Sequence, residues 1–157
     1  MKILFLDIDS VMTVWDWNMA DPNRNKFDML PFTVECVSAL NEILEKTGCE
    51  IVLSSDHRWN HTPETLVEIF HFNGCSKGPI DITPLSRRFN STDLDNLRAA
   101  EIMDWLSTHP EITEWVAVDD LDLDLNIFKE DMRGHFAQTL AGIHLVKDRI
   151  IEMFNGK

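Results

Sequence analysis

Three apolar runs in this chain each end in oxygen-bearing side chains: Ile3-Leu4-Phe5-Leu6 leads into Asp7-Ile8-Asp9, Ile51-Val52-Leu53 into Ser54-Ser55, and Trp115-Val116-Ala117-Val118 into Asp119-Asp120. If the runs are neighbouring buried strands, these carboxylates and hydroxyls meet at one edge of a sheet. Carboxylates held so close repel one another, and keeping them charged is unfavourable unless a cation or a shared proton compensates. A hard divalent ion is the natural compensation. Magnesium takes oxygen ligands and is usually held by one or two carboxylates together with substrate phosphate oxygens. In Asp7-Ile8-Asp9 the single intervening residue sends both carboxylates to one side if extended geometry persists. One can then attack as a nucleophile while the other handles protons, which suits two-step phosphoryl transfer through an acyl phosphate.

Each of these groups also has an ordinary structural use. Aspartates at strand ends serve as turn and N-cap residues, and Ser54 or Ser55 can cap the segment that follows. Asp7-Ile8-Asp9 alone would favour that reading, but joined to Asp119-Asp120 it favours a metal site. Asp122 and Asp124 alternate with leucine and read as a solvated face. Arg58 and Arg98 can be surface helix residues in ion pairs. Trp15 and Trp17 can stack on a base, although aromatic residues more often anchor a loop to the core. His57 and His61 lack a third ligand, which argues against zinc.

The elements that must position these groups follow from patterning. Ile3 to Leu6, Ile51 to Leu53 and Trp115 to Val118 are short continuous apolar runs, as in strands buried on both faces of a parallel sheet. Between them, apolar positions recur at helical spacing from Thr33 to Gly48, from Thr62 to Asn73 and from Leu97 to Leu106, with His109-Pro110 as a stop. Pro79 to Ile82 reads as a short strand, Thr83 to Asp95 as polar loop, Ile143 to Val146 as the last strand and Lys147 to Phe154 as a closing helix. Residues 10–31 lack a sustained period and read as a long loop or flap. Alternating strands and helices predict an α/β fold, a Rossmann-like parallel sheet with helices on both faces, whose ligands bind at the carboxyl ends of the strands.

Composition sets the outer limits. A length of 157 residues with 44% hydrophobic content fits one domain over 1–157. There is space between Asp9 and Ser54 for a flap and one helix, and so for a minimal cap domain or none. The 27 acidic against 14 basic residues give a net charge of −13, which opposes a broad nucleic-acid-coating face. Cys36, Cys49 and Cys75 show no Cys-x-x-Cys spacing and read as small buried hydrophobes in a reducing compartment. The amino-terminal apolar run is too short for a signal peptide, and no stretch approaches the roughly twenty apolar residues of a membrane span. The expectation is a cytoplasmic protein with no membrane association and no obligate protein partner.

Phe5-Leu6-Asp7-Ile8-Asp9-Ser10-Val11-Met12 resembles the first motif of the haloacid dehalogenase (HAD) superfamily, and the other pieces follow in order. Ile51 to Ser54 resembles the second motif, Arg98 before Glu101-Ile102 the third, and Val116 to Asp120 the acidic fourth. More narrowly, Leu53 to Arg58, Ile82-Thr83-Pro84 and Arg98 to Leu106 resemble the HAD domains of Swiss-army-knife RNA repair proteins. The resemblance implies Asp7 as nucleophile and Asp9 as general acid and base. Asp7, the Asp9 carbonyl, and Asp119 or Asp120 would hold Mg2+. Ser54, or its neighbour Ser55, would bind phosphoryl oxygens, Arg98 would stabilise the charge on them, and Arg58 would contact phosphate as well. Ser10 stands where glycine or threonine is commoner, and Arg98 where many relatives carry lysine, so Lys77, Arg87 and Arg88 compete for the third-motif role.

The expected function is phosphomonoester hydrolysis. An open site and the repair-protein resemblance favour a phosphorylated RNA or DNA end, whereas net acidity favours a nucleotide or another small phosphate. The alternative of another class is a phosphate-sensing, receiver-like domain, which also combines an acidic metal pocket with a hydroxyl and a basic residue. Receivers, however, are phosphorylated on an aspartate after a later strand.

Overall fold

A computed structural model describes residues 1–14, 27–87, 89–90, 92–124 and 127–156. The remainder includes Trp15, Trp17, Arg88 and much of the expected flap, which therefore lie outside the described residues.

Five strands form one all-parallel sheet: β1 (Lys2–Leu6), β2 (Glu50–Leu53), β3 (Pro79–Ile82), β4 (Glu114–Asp119) and β5 (Phe136–Gln138), in the order β3-β2-β1-β4-β5. The helices are α1 (Val34–Thr47), α2 (Pro63–Phe72), α3 (Leu94–Ser107), the single turn α4 (Lys129–Met132) and α5 (Lys147–Asn155). Among the described residues there are also two 3-10 turns, Asp56–Trp59 and Ile143–Leu145.

The period-2 alternation of buried strands explains the two cores. Leu4, Leu6, Ile51, Leu53, Val116 and Val118 face one layer, packed with residues of α1, α2 and α5. Ile3, Phe5, Val52 and Ala117 face the other, packed with Ala99, Ala100, Ile102 and Trp105 of α3 and with Met132. Because both faces are covered, the strands are continuously apolar, which is why they were legible as such. α2 starts on Thr62, whose side chain accepts from Thr65 N, with Pro63 at its first position. α1 ends on Gly48 at φ 71, a left-handed cap. Cys36, Cys49 and Cys75 are free and buried, and burial pushes the Cys75 thiol up to about 12.

Two expectations are corrected. The last strand is Phe136–Gln138, not Ile143 to Val146, which lies largely in a 3-10 turn. Gly142, at φ 118, turns the chain before Ile143, and the edge beside β4 is already taken by β5. α3 also begins earlier than expected, at Leu94.

Candidate active site

The parallel register delivers one residue from each strand to a common row. Ser54 N donates to Leu6 O, Asp7 N to Val118 O, Thr83 N to Leu53 O and Thr139 N to Asp119 O, so Thr83, Ser54, Asp7, Asp119 and Thr139 sit side by side at the carboxyl edge. After β1 the chain continues outward to β2 and β3, then returns to place β4 on the other side of β1. Asp7 and Asp119 therefore flank the point where strand order reverses, the place where open α/β sheets bind ligands.

Ligand oxygens of Asp7, Asp119 and Asp120 all lie within 4.8 Å of one another, with Asp7 and Asp119 buried. Burial raises the Asp7 carboxyl well above its ordinary value; the charge of Asp119 raises it further and Arg98 opposes. Burial likewise pushes Asp119 up to about 6, against the pull of Arg98. An all-oxygen donor set whose carboxylates repel one another fits a hard divalent cation, so the triad can bind a metal.

Arg98, on α3, answers part of this charge. Its Nη1 donates to Asp119 Oδ2 at 2.6 Å and lies 3.3 Å from Asp7 Oδ1, while Nη2 is 3.7 Å from the exposed Asp56. Burial would lower the guanidinium, but the Asp119, Asp7 and Asp56 carboxylates reverse the shift and raise it, so it stays charged. Among the competitors for this position, Lys77 pairs with Glu50 at 3.0 Å at the opposite, amino end of β2, and Arg87 is exposed. Arg88 lies outside the described residues.

The two serines separate cleanly. Ser55 Oγ accepts from His57 N and caps the 3-10 turn Asp56–Trp59. Ser54 Oγ is buried with no hydrogen-bond partner among the described residues, as is Thr83 Oγ1 two strands from Asp7. A buried hydroxyl without a partner is costly, and the row position of Ser54 sets this one beside Asp7.

Arg58 departs from the expected phosphate contact. Its side chain is fully buried, with Nε donating to Thr83 O, Nη1 to the carbonyls of Ser54 and Ser55, and Nη2 2.9 Å from Glu101 Oε1. Burial lowers Arg58 and raises Glu101 from their ordinary values, so desolvation works against the pair even as they attract. The guanidinium is occupied in holding the ends of β2 and β3 to α3, one turn beyond Arg98. Glu101, noted in the sequence only as part of a motif, is what allows an arginine to be buried there.

Asp9 leaves the strand geometry assumed for it. After Asp7 the chain folds into a tight turn in which Val11, Met12 and Thr13 N all donate to Ile8 O, and Ser10 adopts φ 64. That left-handed conformation suits glycine, which accounts for serine looking out of place there. The Asp9 side chain is 73% exposed, and its Oδ1 lies 3.1 Å from His57 Nε2. The hydrogen bond from His57 lowers Asp9, and the same contact raises His57. The Asp9 carboxylate is not in the acidic triad. A cavity of about 220 Å³ opens beside the pair, lined by Asp9, Thr13, Met29, Leu30 and His57. A larger cavity, about 650 Å³, lies instead at the amino ends of β1 and β4, around Lys2 and Glu114, away from the carboxylates.

A family model described as the HAD domain in Swiss Army Knife RNA repair proteins matches residues 3–148. No curated protein and no solved structure matches the chain.

Proposed function

The chain belongs to that HAD domain family, and from this premise we propose that it is a magnesium-dependent phosphomonoesterase that works through an aspartyl phosphate on Asp7. Membership implies phosphatase-type hydrolysis of a phosphorylated substrate. The observation that carries the finer reading is the juxtaposition of the Asp7–Asp119–Asp120 triad with Arg98 and the unpartnered Ser54 hydroxyl.

In the first step an Asp7 carboxylate oxygen attacks phosphorus in line. The bond to the ester oxygen breaks, its electron pair stays on that oxygen, and Asp9 supplies the proton that makes it an alcohol. In the second step a water oxygen attacks phosphorus as Asp9 takes the water proton, the bond to Asp7 breaks, and inorganic phosphate leaves with the Asp7 carboxylate restored. Ser54 Oγ donates to a phosphoryl oxygen, and Arg98 stabilises the charge spread over those oxygens in a loose transition state. Asp7, the Asp9 carbonyl, and Asp119 or Asp120 would hold Mg2+, which when bound neutralises the carboxylates and the phosphoryl charge.

For the substrate we favour a phosphorylated RNA or DNA end. The family description names RNA repair proteins, and the exposed Asp9 leaves the leaving-group side open to a large molecule. The net charge of −13 supports the second reading, a nucleotide or other small phosphate. A receiver-like sensor agrees less well, since the middle strands β2 and β3 deliver Ser54 and Thr83 to the carboxyl edge where a receiver has its phosphorylated aspartate, and the family is a HAD family. Release of phosphate from 3′- and 5′-phosphorylated oligonucleotides and from mononucleotides, with and without Mg2+, tests all three. Activity on 3′-phosphate ends supports the repair reading, activity on mononucleotides alone replaces it with a nucleotidase, and no magnesium-dependent release from any of them refutes the phosphatase.

A further inference from the structure

Asp9 must aim its carboxyl at the ester oxygen, yet it sits on a turn with its side chain largely in solvent, where a short acidic side chain samples several rotamers. His57 restrains it, with Nε2 lying 3.1 Å from Oδ1. His57 is itself well fixed. Its backbone N–H is taken by the Ser55 cap, and the next residue, Arg58, is buried and tied to Ser54, Ser55, Thr83 and Glu101. The turn that follows the phosphate-side serine is thus bolted to three elements and reaches across to the leaving-group side.

We infer that His57 is a positioning residue for the reaction, holding one oxygen of Asp9 so that the other faces a leaving-group subsite formed with Thr13, Met29 and Leu30. The subsite, at about 220 Å³, is smaller than the roughly 300 Å³ at which pockets for drug-sized ligands begin and has room for a single sugar-sized group. Its lining combines the polar residues Asp9, Thr13 and His57 with the apolar Met29 and Leu30, which suits a hydroxylated ring. The inference rests on the proposed phosphatase reading. It also accounts for Ser55 and Arg58, which secure the turn that carries His57.

The test compares kcat/KM for a simple alkyl phosphate, whose leaving oxygen needs a proton, with that for nitrophenyl phosphate, whose leaving oxygen does not. General acid catalysis is worth about 10²–10⁴-fold, so His57→Ala should shift the alkyl-to-aryl ratio against the alkyl ester by about tenfold or more. His57→Gln, whose amide can donate to the same Asp9 oxygen, should recover most of that ratio. An equal loss on both esters, or a glutamine variant no better than alanine, overturns the inference while leaving the phosphatase intact. An unaltered protein that releases phosphate with Mg2+ neither from these esters nor from any of the phosphorylated oligonucleotides and mononucleotides overturns the phosphatase reading, and this inference with it.

Discussion

Arg98 Nη1 donates to Asp119 Oδ2 across 2.6 Å, joining α3 on one layer to the end of β4 in the sheet. The guanidinium and the acidic triad form one unit: the arginine offsets carboxylate repulsion, and the carboxylates keep the arginine charged and aimed at Asp7.

Truncation of Arg98 should therefore damage the fold as well as the chemistry. Arg98→Ala leaves Asp7 and Asp119 buried without their cation and should cost about 3–5 kcal/mol of stability in metal-free buffer. Arg98→Lys keeps the charge but not the fork and should fall between. Urea unfolding of the three proteins checks this; equal midpoints would mean the pair is not coupled to stability.

Magnesium should stabilise the protein more at pH 8 than at pH 5. The folded-state values of Asp7 and Asp119 are raised, Asp119 to about 6, so protons bind the folded state more tightly than the unfolded one. Stability from that source is fully present below the unfolded value of 3.8 and is lost as pH rises through about 6. The metal-free melting temperature should fall across that window, and added Mg2+ should restore it at the alkaline end.

Asp7→Asn should lower kcat by at least about 10³-fold, as removal of a nucleophile does, in a protein that stays folded. Removing one charge from the triad should raise the metal-free melting temperature at pH 8. Full hydrolysis of nitrophenyl phosphate by this variant would assign the nucleophile elsewhere.

Ser54→Ala and Ser55→Ala should part company. The Ser54 hydroxyl has no partner among the described residues, so its loss should leave stability nearly unchanged or slightly improved while kcat/KM falls. Ser55→Ala removes a cap, with a cost of about 0.5–2 kcal/mol. Thermal melts and steady-state rates on both variants distinguish the two effects.

Continuous apolar runs and the acidic or hydroxylated residues behind them made β1, β2 and β4 readable, and helical spacing made α1 and α2 readable, because burial on both faces of a sheet leaves a pattern that depends only on local composition. The meeting of Asp7 with Asp119 and Asp120 was legible for the same reason. α3 was harder to place, since its buried face includes Arg98 and Glu101 and so lacks a clean apolar period. β5, at three residues, carries too little pattern to be told from a turn, and Ile143 to Val146 mimicked it.

What the sequence determined by itself was thus a parallel sheet with carboxylates at one edge, since strand ends and residue types are local properties. Tertiary structure alone decided the division of labour among the polar residues behind β2. Whether Ser54 or Ser55 is free, whether Arg58 faces ligand or core, and whether His57 meets Asp9 depend on which partners α3, β3 and the turn after β1 bring within hydrogen-bond reach. Those partners lie up to 48 residues apart in the chain, a distance over which sequence patterning carries no geometry.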